Sequence, residues 1–494
     1  MAQLCRRISN LLQRRSRVMP ERNIPGPNTR TTAVIAARLE RLPLSSWHRK
    51  LLLIIGAGVF YEAFELFLGS VLTPILKVRW NLQPVEVGML ISSVFIGMAL
   101  GAIGLGVLGD RIGRRRMFTL NLTVYLVAAL VAATAQDIWF LVVCRIIAGA
   151  GVGAESVLID SYLGELLPGH SRGRLLSRAL AFGFLAVPVV SMAGALLTNT
   201  VFLFEGWRWL LIAAGSGVVL ILWVRRNLPE SPRWLASQGR LDEADTELRR
   251  IEDAVIAATG RELPPVSIED GPARSIDVAA RSRWSDVFAK NLRGRLAMMT
   301  SVQFLGTAGY YGFSSLIPVL LVAKGYTVIQ SLGYAALISV GFPLGAYIAS
   351  GVADRMERKT LIVLLLIMTA GLGVGFAYAT ETALVVSIGF LLTVTNQTLG
   401  VAIHVYMSEL FPAHVRNRAN GFGLGIGRIA AAFLPFLAVP LLAALGAPGV
   451  LIFCGAMLIL AAGVVLGYGP RTTGRSLEET SENLDRARNE RGRT

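Results

Sequence analysis

Charged residues and cysteines are both scarce in this 494-residue sequence, and each scarcity excludes a class of protein. Only 16% of the residues are charged, against about 25% in an ordinary soluble domain, whereas 53% are hydrophobic. Cys5, Cys144 and Cys454 are too few and too widely spaced for a disulfide framework or a metal site. No P-loop, nucleophile elbow or HExxH motif occurs, so neither ATP-driven transport within this chain nor enzymatic catalysis is expected. The sequence indicates a membrane protein without a cofactor.

Acidic residues are also fewer than basic ones, 32 against 48, and the formal net charge is +16. Such an excess can indicate nucleic-acid binding, but here the basic residues lie beside apolar runs instead of forming one patch. We therefore predict contact with membrane lipid and no nucleic-acid partner.

Two charged segments occur twice at the same spacing. The segment GVLGDRIGRRR (106–116) resembles GVADRMERK (351–359), and YLGELLP (162–168) resembles YMSELFP (406–412). The offset is 244 residues in both cases, measured between the aspartates (354 − 110) and between the tyrosines (406 − 162). A repeat at one offset indicates an internal duplication, so the chain is predicted to consist of two similar halves.

Apolar runs of about 20 residues, the length that crosses a bilayer core as a helix, begin at Leu51. They predict an all-α membrane protein with twelve transmembrane helices in two pseudo-symmetric six-helix bundles. The predicted spans are 51–76, 86–109, 117–135, 138–163, 176–199, 208–224, 296–322, 328–352, 361–379, 382–407, 419–444 and 448–468. Basic residues concentrate in alternate loops and in both tails, so both termini are expected in the cytoplasm and the chain in the cell (inner) membrane. Lys77 and Arg79, in the first outer turn, depart from this pattern.

The same pattern divides the chain into five parts: a basic cytoplasmic tail (1–46), an N-terminal six-helix bundle (47–225), a cytoplasmic central loop with an amphipathic helix (226–294), a C-terminal six-helix bundle (295–468) and a cytoplasmic tail (469–494). The first tail is expected to be solvated. A transit peptide, or a true start at Met19, is an alternative for it.

The amphipathic helix of the central loop is predicted from apolar residues at helical spacing, namely Leu241, Ala244, Leu248, Ile251 and Val255. It is expected to lie on the cytoplasmic face. Two roles are open for it: a latch that contacts both halves, or a tether with a solvated face.

These motifs resemble those of the Major Facilitator Superfamily. The signature loop at 106–116 and its second copy, Arg145 followed by GAGVG (149–153), and PESPR (229–233) are together similar to the sugar-porter-related branch. Within that branch, the segment 153–168 resembles niacin-transporter-like and metabolite–proton symporter groups, which carry organic acids and related small metabolites. The resemblance implies two bundles around a central cavity that opens alternately to each side.

The resemblance also implies a conformational switch at the charged loops. Asp110 and Arg114 would pair across the bundle interface in the outward-facing state, and Glu165 would bridge the basic residues. A departure in the second copy is Glu357, where glycine is usual. The residues assigned to the switch are Gly106, Asp110, Arg111, Gly113, Arg114, Glu165, Arg172, Arg174, Asp354, Arg355, Glu409 and Arg416.

Proton coupling is assigned to acidic residues within the spans. Glu62 and Glu65 stand where the family carries two aspartates, and their spacing of three places both on one helix face. Burial and mutual repulsion would make at least one of them bind a proton. The alternative is a structural ion pair with an arginine on a neighbouring span. Glu155 and Asp160 on the fourth span are further candidates for proton relay.

Substrate binding is assigned to basic and polar residues at membrane depth. Arg428 is predicted near the bilayer midplane, where it could bind a carboxylate through two parallel hydrogen bonds. Arg145 is a second candidate, with a structural role as the alternative. Hydrogen-bonding residues expected at the cavity are Gln303, Tyr310, Tyr311, Asn396 and Gln397.

The sequence thus predicts a secondary active transporter, expected to be monomeric, that moves a small organic acid or related metabolite by alternating access in symport with protons. A sugar or polyol porter and a proton-driven drug efflux protein are the alternatives within transport. A non-transporting sensor of the same fold is a different class, but the short central loop and tail leave no room for a large signalling domain.

Overall fold

The computed structural model describes residues 27–104, 112–266, 284–289, 292–352, 356–411 and 413–471, and most of these residues are helical. The first half contains α1 (Pro27–Glu40), α2 (Ser46–Arg79), α3 (Pro84–Gly104), α4 (Arg114–Ala132), α5 (Ile138–Leu166), α6 (Gly169–Gly183), α7 (Ala186–Leu197), α8 (Gly206–Gly215) and α9 (Val218–Asn227). Two short strands, β1 (Val201–Phe202) and β2 (Phe204–Glu205), pair in antiparallel fashion before α8.

The connection between the halves contains α10 (Pro232–Ser237), α11 (Leu241–Thr259) and α12 (Trp284–Val287). The second half contains α13 (Arg293–Ser314), α14 (Ile317–Ala323), α15 (Val328–Ser339), α16 (Gly341–Val352), α17 (Arg358–Tyr378), α18 (Thr382–Leu410) and α19 (Ala413–Tyr468).

The described helices account for the twelve predicted crossings. By length and composition nine can span a membrane, or ten if α13 and α14, which are bent by 58° at their break, form one span. Helix α19 provides two of the crossings because it is interrupted at Gly446, whose φ of 67° lies in the left-handed region that favours glycine. The shorter apolar stretch Gly206–Leu220 provides the remaining one.

Three of the spans are broken near their middle, and each restarts at a proline. Pro188, Pro318 and Pro343 occupy the second or third residue of α7, α14 and α16. Proline lacks an N–H and its ring clashes with the preceding helical turn, but it is tolerated in the first turn of a new helix. Proline is therefore compatible with each break, but Pro74, Pro435 and Pro440 lie inside continuous helix, so packing also decides where a span breaks.

Helices α3 and α5 approach each other closely through glycines. A Cβ atom added at Gly101 would lie 1.9 Å from the carbonyl oxygen of Ala150, and one added at Gly153 would lie 2.2 Å from that of Met98. Any side chain at these positions would push the helices apart. The contact fixes the position of α5, which carries four of the predicted site residues.

The prediction of a solvated N-terminal tail is wrong for its C-terminal part. Helix α1 packs against α10 and α11, and the side chains of Ile35, Ala36, Ala37, Leu39 and Leu42 are buried. Arg38 forms ion pairs with Asp245 at 2.6 Å and with Glu252 at 2.5 Å. The charges that suggested a solvated segment are thus held by acidic residues of the central connection.

The predicted amphipathic helix is present as α11, and Ala244, Leu248, Ile251 and Val255 form its buried face. It packs against α2, α10 and α1, so its principal contacts are with the first half and the central connection. A latch that contacts both halves stays a prediction.

We expect acidification to release α1 from α11. Burial raises the pKa of the Glu252 carboxyl, but the hydrogen bonds and charges of Arg38 and Arg41 outweigh burial and lower that pKa overall. Because the pKa is lower in the folded protein, these ion pairs stabilise docking fully above the unfolded value of about 4.3 and are lost as the pH falls through the folded value.

The measurement is the protection of residues 34–42 from hydrogen exchange, corrected for intrinsic rates. Protection is expected to fall in wild type below about pH 4 and in Glu252→Gln already at neutral pH. The control is Glu243→Gln, whose partner Arg240 is solvent-exposed. Equal loss of protection in both variants would contradict the assignment.

Candidate functional site

A cavity of about 950 Å³ lies between the two halves of the chain. Its walls come from α2, α3, α5 and α6 in the first half and from α13, α16, α18 and α19 in the second. The predicted residues that line it are Glu62, Gln303, Tyr310, Tyr311, Gln397 and Arg428.

The cavity opens at the end of the molecule that carries the charged loops. Lining residues at this end, including Arg178, Gly351 and His404, are exposed. At the other end the halves are in contact: the ring centroids of Phe67 and Phe342 are 5.2 Å apart, and Phe342 is fully buried. The structure therefore represents a state that is open on the charged-loop side.

Glu65 and Arg145 form a buried ion pair beside the cavity. Their side chains are 1% and 0% exposed, and Arg145 Nη1 donates to Glu65 Oε1 at 3.0 Å. Arg145 Nη2 also donates to the backbone carbonyl of Glu65 at 3.3 Å. This is the structural ion pair that the sequence left as the alternative. The assignment of Arg145 to substrate binding is not supported in this state, because its guanidinium is occupied and shielded from the cavity.

Glu62 and Glu65 lie in different surroundings in this state, although their spacing predicted one carboxylate pair. A spacing of three residues rotates a helix by about 300°, so the two side chains differ in direction by about 60°. Glu62 reaches the cavity wall, whereas Glu65 is buried between α2 and α5.

Arg428 connects the two halves at the cavity wall. Its Nη1 donates to the carbonyl oxygens of Gly153, at 3.0 Å, and Met98, at 3.4 Å, and its Nη2 donates to Ser156 Oγ. These acceptors belong to α5 and α3, whereas Arg428 belongs to α19. The residue predicted to bind an anion is thus also a contact between the bundles.

Aromatic and amide side chains complete the wall of the second half. Tyr310 donates its hydroxyl to Gln397 Oε1 at 2.8 Å, and the ring centroids of Tyr310 and Tyr311 are 4.8 Å apart. Tyr311 meets Phe95 of the first half edge-on at 4.6 Å. Tyr311, Arg428 and Glu62 all line this cavity.

Asn396 does not belong to the cavity, contrary to the prediction. It is fully buried, and its Nδ2 donates to the carbonyl oxygen of Tyr310 at 3.2 Å and to Ser314 Oγ at 3.3 Å. Adjacent residues of a helix point about 100° apart, so only one of Asn396 and Gln397 can face the cavity. Asn396 instead fixes α18 against α13.

The predicted switch residues are described only in part. Arg114 pairs with Glu165 at 3.1 Å within the first half, and the pairing across the bundle interface that the resemblance implied stays a prediction. Gly113 precedes α4 with a φ of 100°, and Arg416 donates to the carbonyl of Phe411 at 3.3 Å. Outside the described residues lie Gly106, Asp110, Arg111, Asp354 and Arg355 and the side chains of Asp160, Arg172 and Arg174.

The second half repeats the Arg114–Glu165 pair at the offset of the duplication. Glu409 pairs with Arg358 at 3.3 Å, and each partner lies 244 residues after its counterpart (358 − 114 and 409 − 165). Sequence reasoning missed Arg358, although the offset alone maps Arg114 onto it. It also missed Glu230, which caps α4 by accepting hydrogen bonds from the backbone N–H groups of Arg114 and Arg115 at 2.8 and 3.1 Å.

The family model of sugar (and other) transporters matches residues 58–484 of this sequence. The chain belongs to this transporter family. The putative metabolite transport protein YyaJ of Bacillus subtilis is 30% identical over 451 residues, which cover 91% of this chain and 98% of YyaJ. The niacin transporter NiaP of Acinetobacter baylyi is 28% identical over 446 residues, which cover 90% of this chain and 99% of NiaP.

The transporter also shares its fold with a solved structure. The proton:xylose symporter XylE of E. coli, a major facilitator superfamily protein, matches with a TM-score of 0.68 at 22% identity, over 89% of this chain and 99% of XylE. The predicted fold of twelve helices in two bundles is thereby confirmed. The chain is a multi-pass membrane transporter and not an enzyme.

Proposed function

We propose that this transporter moves a small organic acid or related metabolite by alternating access, in symport with protons. The observation that carries the proposal is the position of Arg428, a cationic side chain on the wall of the cavity between the halves. A guanidinium binds carboxylates through two parallel hydrogen bonds, and such bonds are strong where water is partly excluded.

The surroundings of Arg428 favour an acid that carries a flat ring. Tyr310, Tyr311 and Phe95 form a continuous aromatic cluster, and Gln303 and Gln397 add amide groups at the same wall. Aromatic side chains bind flat apolar ligands while polar groups fix their orientation. The similarity to a niacin transporter supports a substrate of this kind.

Arg428 couples substrate binding to the movement of the halves. In the described state its guanidinium bonds to backbone carbonyls of the opposite bundle. A substrate carboxylate would compete with these neutral acceptors and win, because a charged acceptor makes the stronger bond. Substrate binding would thus replace a contact between the bundles and shift the equilibrium between the two openings of the cavity.

Protons supply the driving force in this proposal, and Glu62 is the carboxylate through which they enter. Its side chain lines the cavity. In this proposal the protein is a monomer in the cell inner membrane, with both termini in the cytoplasm. The chain is divided into the five predicted parts, with boundaries after residues 46, 225, 294 and 468. It also includes the switch role of the Arg114–Glu165 and Arg358–Glu409 pairs, which would stabilise each bundle at the charged-loop end.

The test is uptake into proteoliposomes of labelled nicotinate, benzoate-type acids and a panel of sugars, with and without an inward proton gradient. The proposal expects accumulation of an acid that the gradient increases and that other acids inhibit. Accumulation of a sugar alone would contradict it and favour a sugar porter, the second candidate, which the family match and the likeness to XylE support. Acid uptake that ignores the gradient would overturn the symport part only.

A further inference from the structure

Glu155 is a buried carboxylate that none of the interactions described above uses. It lies on α5 and is fully buried. A Cβ atom added at Gly58 would lie 2.8 Å from Glu155 Oε1, so the carboxylate fills the space that the missing side chain leaves. Among the described residues neither of its oxygens has a partner with hydrogen-bond geometry. Such a group is costly to keep ionised at this depth.

Two titratable side chains from neighbouring helices face Glu155. Glu62 lies one helical turn after Gly58 on α2 and interacts electrostatically with Glu155. Tyr125, on α4, is 1% exposed and also interacts with the carboxylate, although its hydroxyl donates to the carbonyl oxygen of Gly58 at 3.4 Å. The positive charge of Arg145 is already paired with Glu65.

We propose that Glu155 and Glu62 form a single proton-binding site, in which Glu155 holds the proton and Glu62 exchanges it with water in the cavity. Two carboxylates that share one site cannot both be ionised cheaply, so they bind one proton between them. The proton comes from the cavity and returns to it, and the charge of the pair changes between −1 and −2. This inference rests on the proposed proton coupling and adds Glu155 to Glu62 as the residue that holds the proton.

The position of the pair explains why proton and anion would bind together. Arg428 donates to Gly153 and Ser156, which lie two residues before and one residue after Glu155 on α5, and it lines the same cavity as Glu62. When a substrate carboxylate neutralises Arg428, its positive charge no longer stabilises two negative charges on Glu62 and Glu155. Anion binding therefore favours proton binding, and by reciprocity the proton favours the anion. This sign of coupling is the one that symport needs.

The first test needs no substrate. Infrared difference spectra of the full-length protein in lipid, recorded against pH, report the C=O stretch of protonated carboxyls. We expect a band that is lost in Glu155→Gln, whose amide resembles the protonated acid in shape. In Glu62→Gln the titration of that band should shift to lower pH, because the neighbouring negative charge is gone. Glu243→Gln is the control and should leave the band unchanged, because it removes a solvent-exposed carboxylate of α11 and touches neither buried site. A band that survives Glu155→Gln, or that Glu243→Gln removes, would overturn the inference.

The second test separates this inference from the proposed function. In proteoliposomes, Glu155→Gln is expected to lose the stimulation of acid uptake by an inward proton gradient. If wild type is stimulated and Glu155→Gln is stimulated equally, the inference fails and the proposed symport stands. If wild type shows the infrared band but no stimulation, the proposed symport fails although the carboxylate site binds a proton. Tyr125→Phe provides a second variant, expected to shift the band without removing it.

Discussion

Replacement of Arg428 by glutamine should raise the KM of an acid substrate about 10- to 100-fold, since a hydrogen bond to a charged group contributes about 1.5–3 kcal/mol. Glutamine removes the positive charge and keeps a polar, though shorter, side chain at the cavity wall. The measurement is initial-rate uptake into proteoliposomes at several substrate concentrations. A KM within twofold of wild type would contradict the role of Arg428 as the anion site.

Two further variants sharpen this prediction. Arg428→Lys keeps the charge and loses the planar pair of donors, so its KM should lie between those of wild type and Arg428→Gln. Arg178→Gln is the matched control, because Arg178 also lines the cavity but is exposed at its mouth. Its KM should change little. An equal effect of both glutamine variants would indicate general attraction of anions into the cavity and not a binding site.

Replacement of either partner of the Glu65–Arg145 pair should strongly destabilise the protein. Each single variant leaves a buried charge without its partner, and breaking a buried pair in this way costs about 3–5 kcal/mol. The side chains are 1% and 0% exposed, so water cannot compensate for the lost partner. We expect Glu65→Leu to lower the thermal unfolding temperature of the purified protein most, because the guanidinium that it leaves unpaired cannot lose its charge, whereas the carboxylate left by Arg145→Met can bind a proton.

The double variant Glu65→Leu with Arg145→Met is expected to recover most of that stability, because replacing both charges by apolar groups removes the desolvation penalty as well as the attraction. The control is Glu62→Gln, which changes a carboxylate at the cavity wall and should hardly affect unfolding. Additive losses in the double variant would show that the two residues do not stabilise each other.

The sequence determined the architecture for two reasons. A bilayer sets the length of every helix that crosses it, and the duplication relates each residue of the first half to one in the second half. Apolar runs of about 20 residues located the spans. The offset of 244 residues related the two halves closely enough to map Arg114 onto Arg358 and Glu165 onto Glu409.

The central connection was predicted in part. The spacing of Ala244, Leu248, Ile251 and Val255 was sufficient to identify α11, because one apolar face must be buried. The docking of α1 was missed, since a basic segment is usually solvated and its partners, such as Glu252, lie more than 200 residues away in sequence. A pattern within a short stretch of sequence cannot indicate an ion-pair partner that is so far away along the chain.

Only the tertiary structure decided which polar side chains face the cavity. The sequence places charged residues at membrane depth, but the rotation of each helix about its axis depends on packing with its neighbours. That rotation sends Glu62 to the cavity and Glu65 to Arg145, and it separates Gln397 from Asn396. The sequence therefore determined which residues are candidates, and the packing of the helices decided which of them can meet a substrate or share a proton.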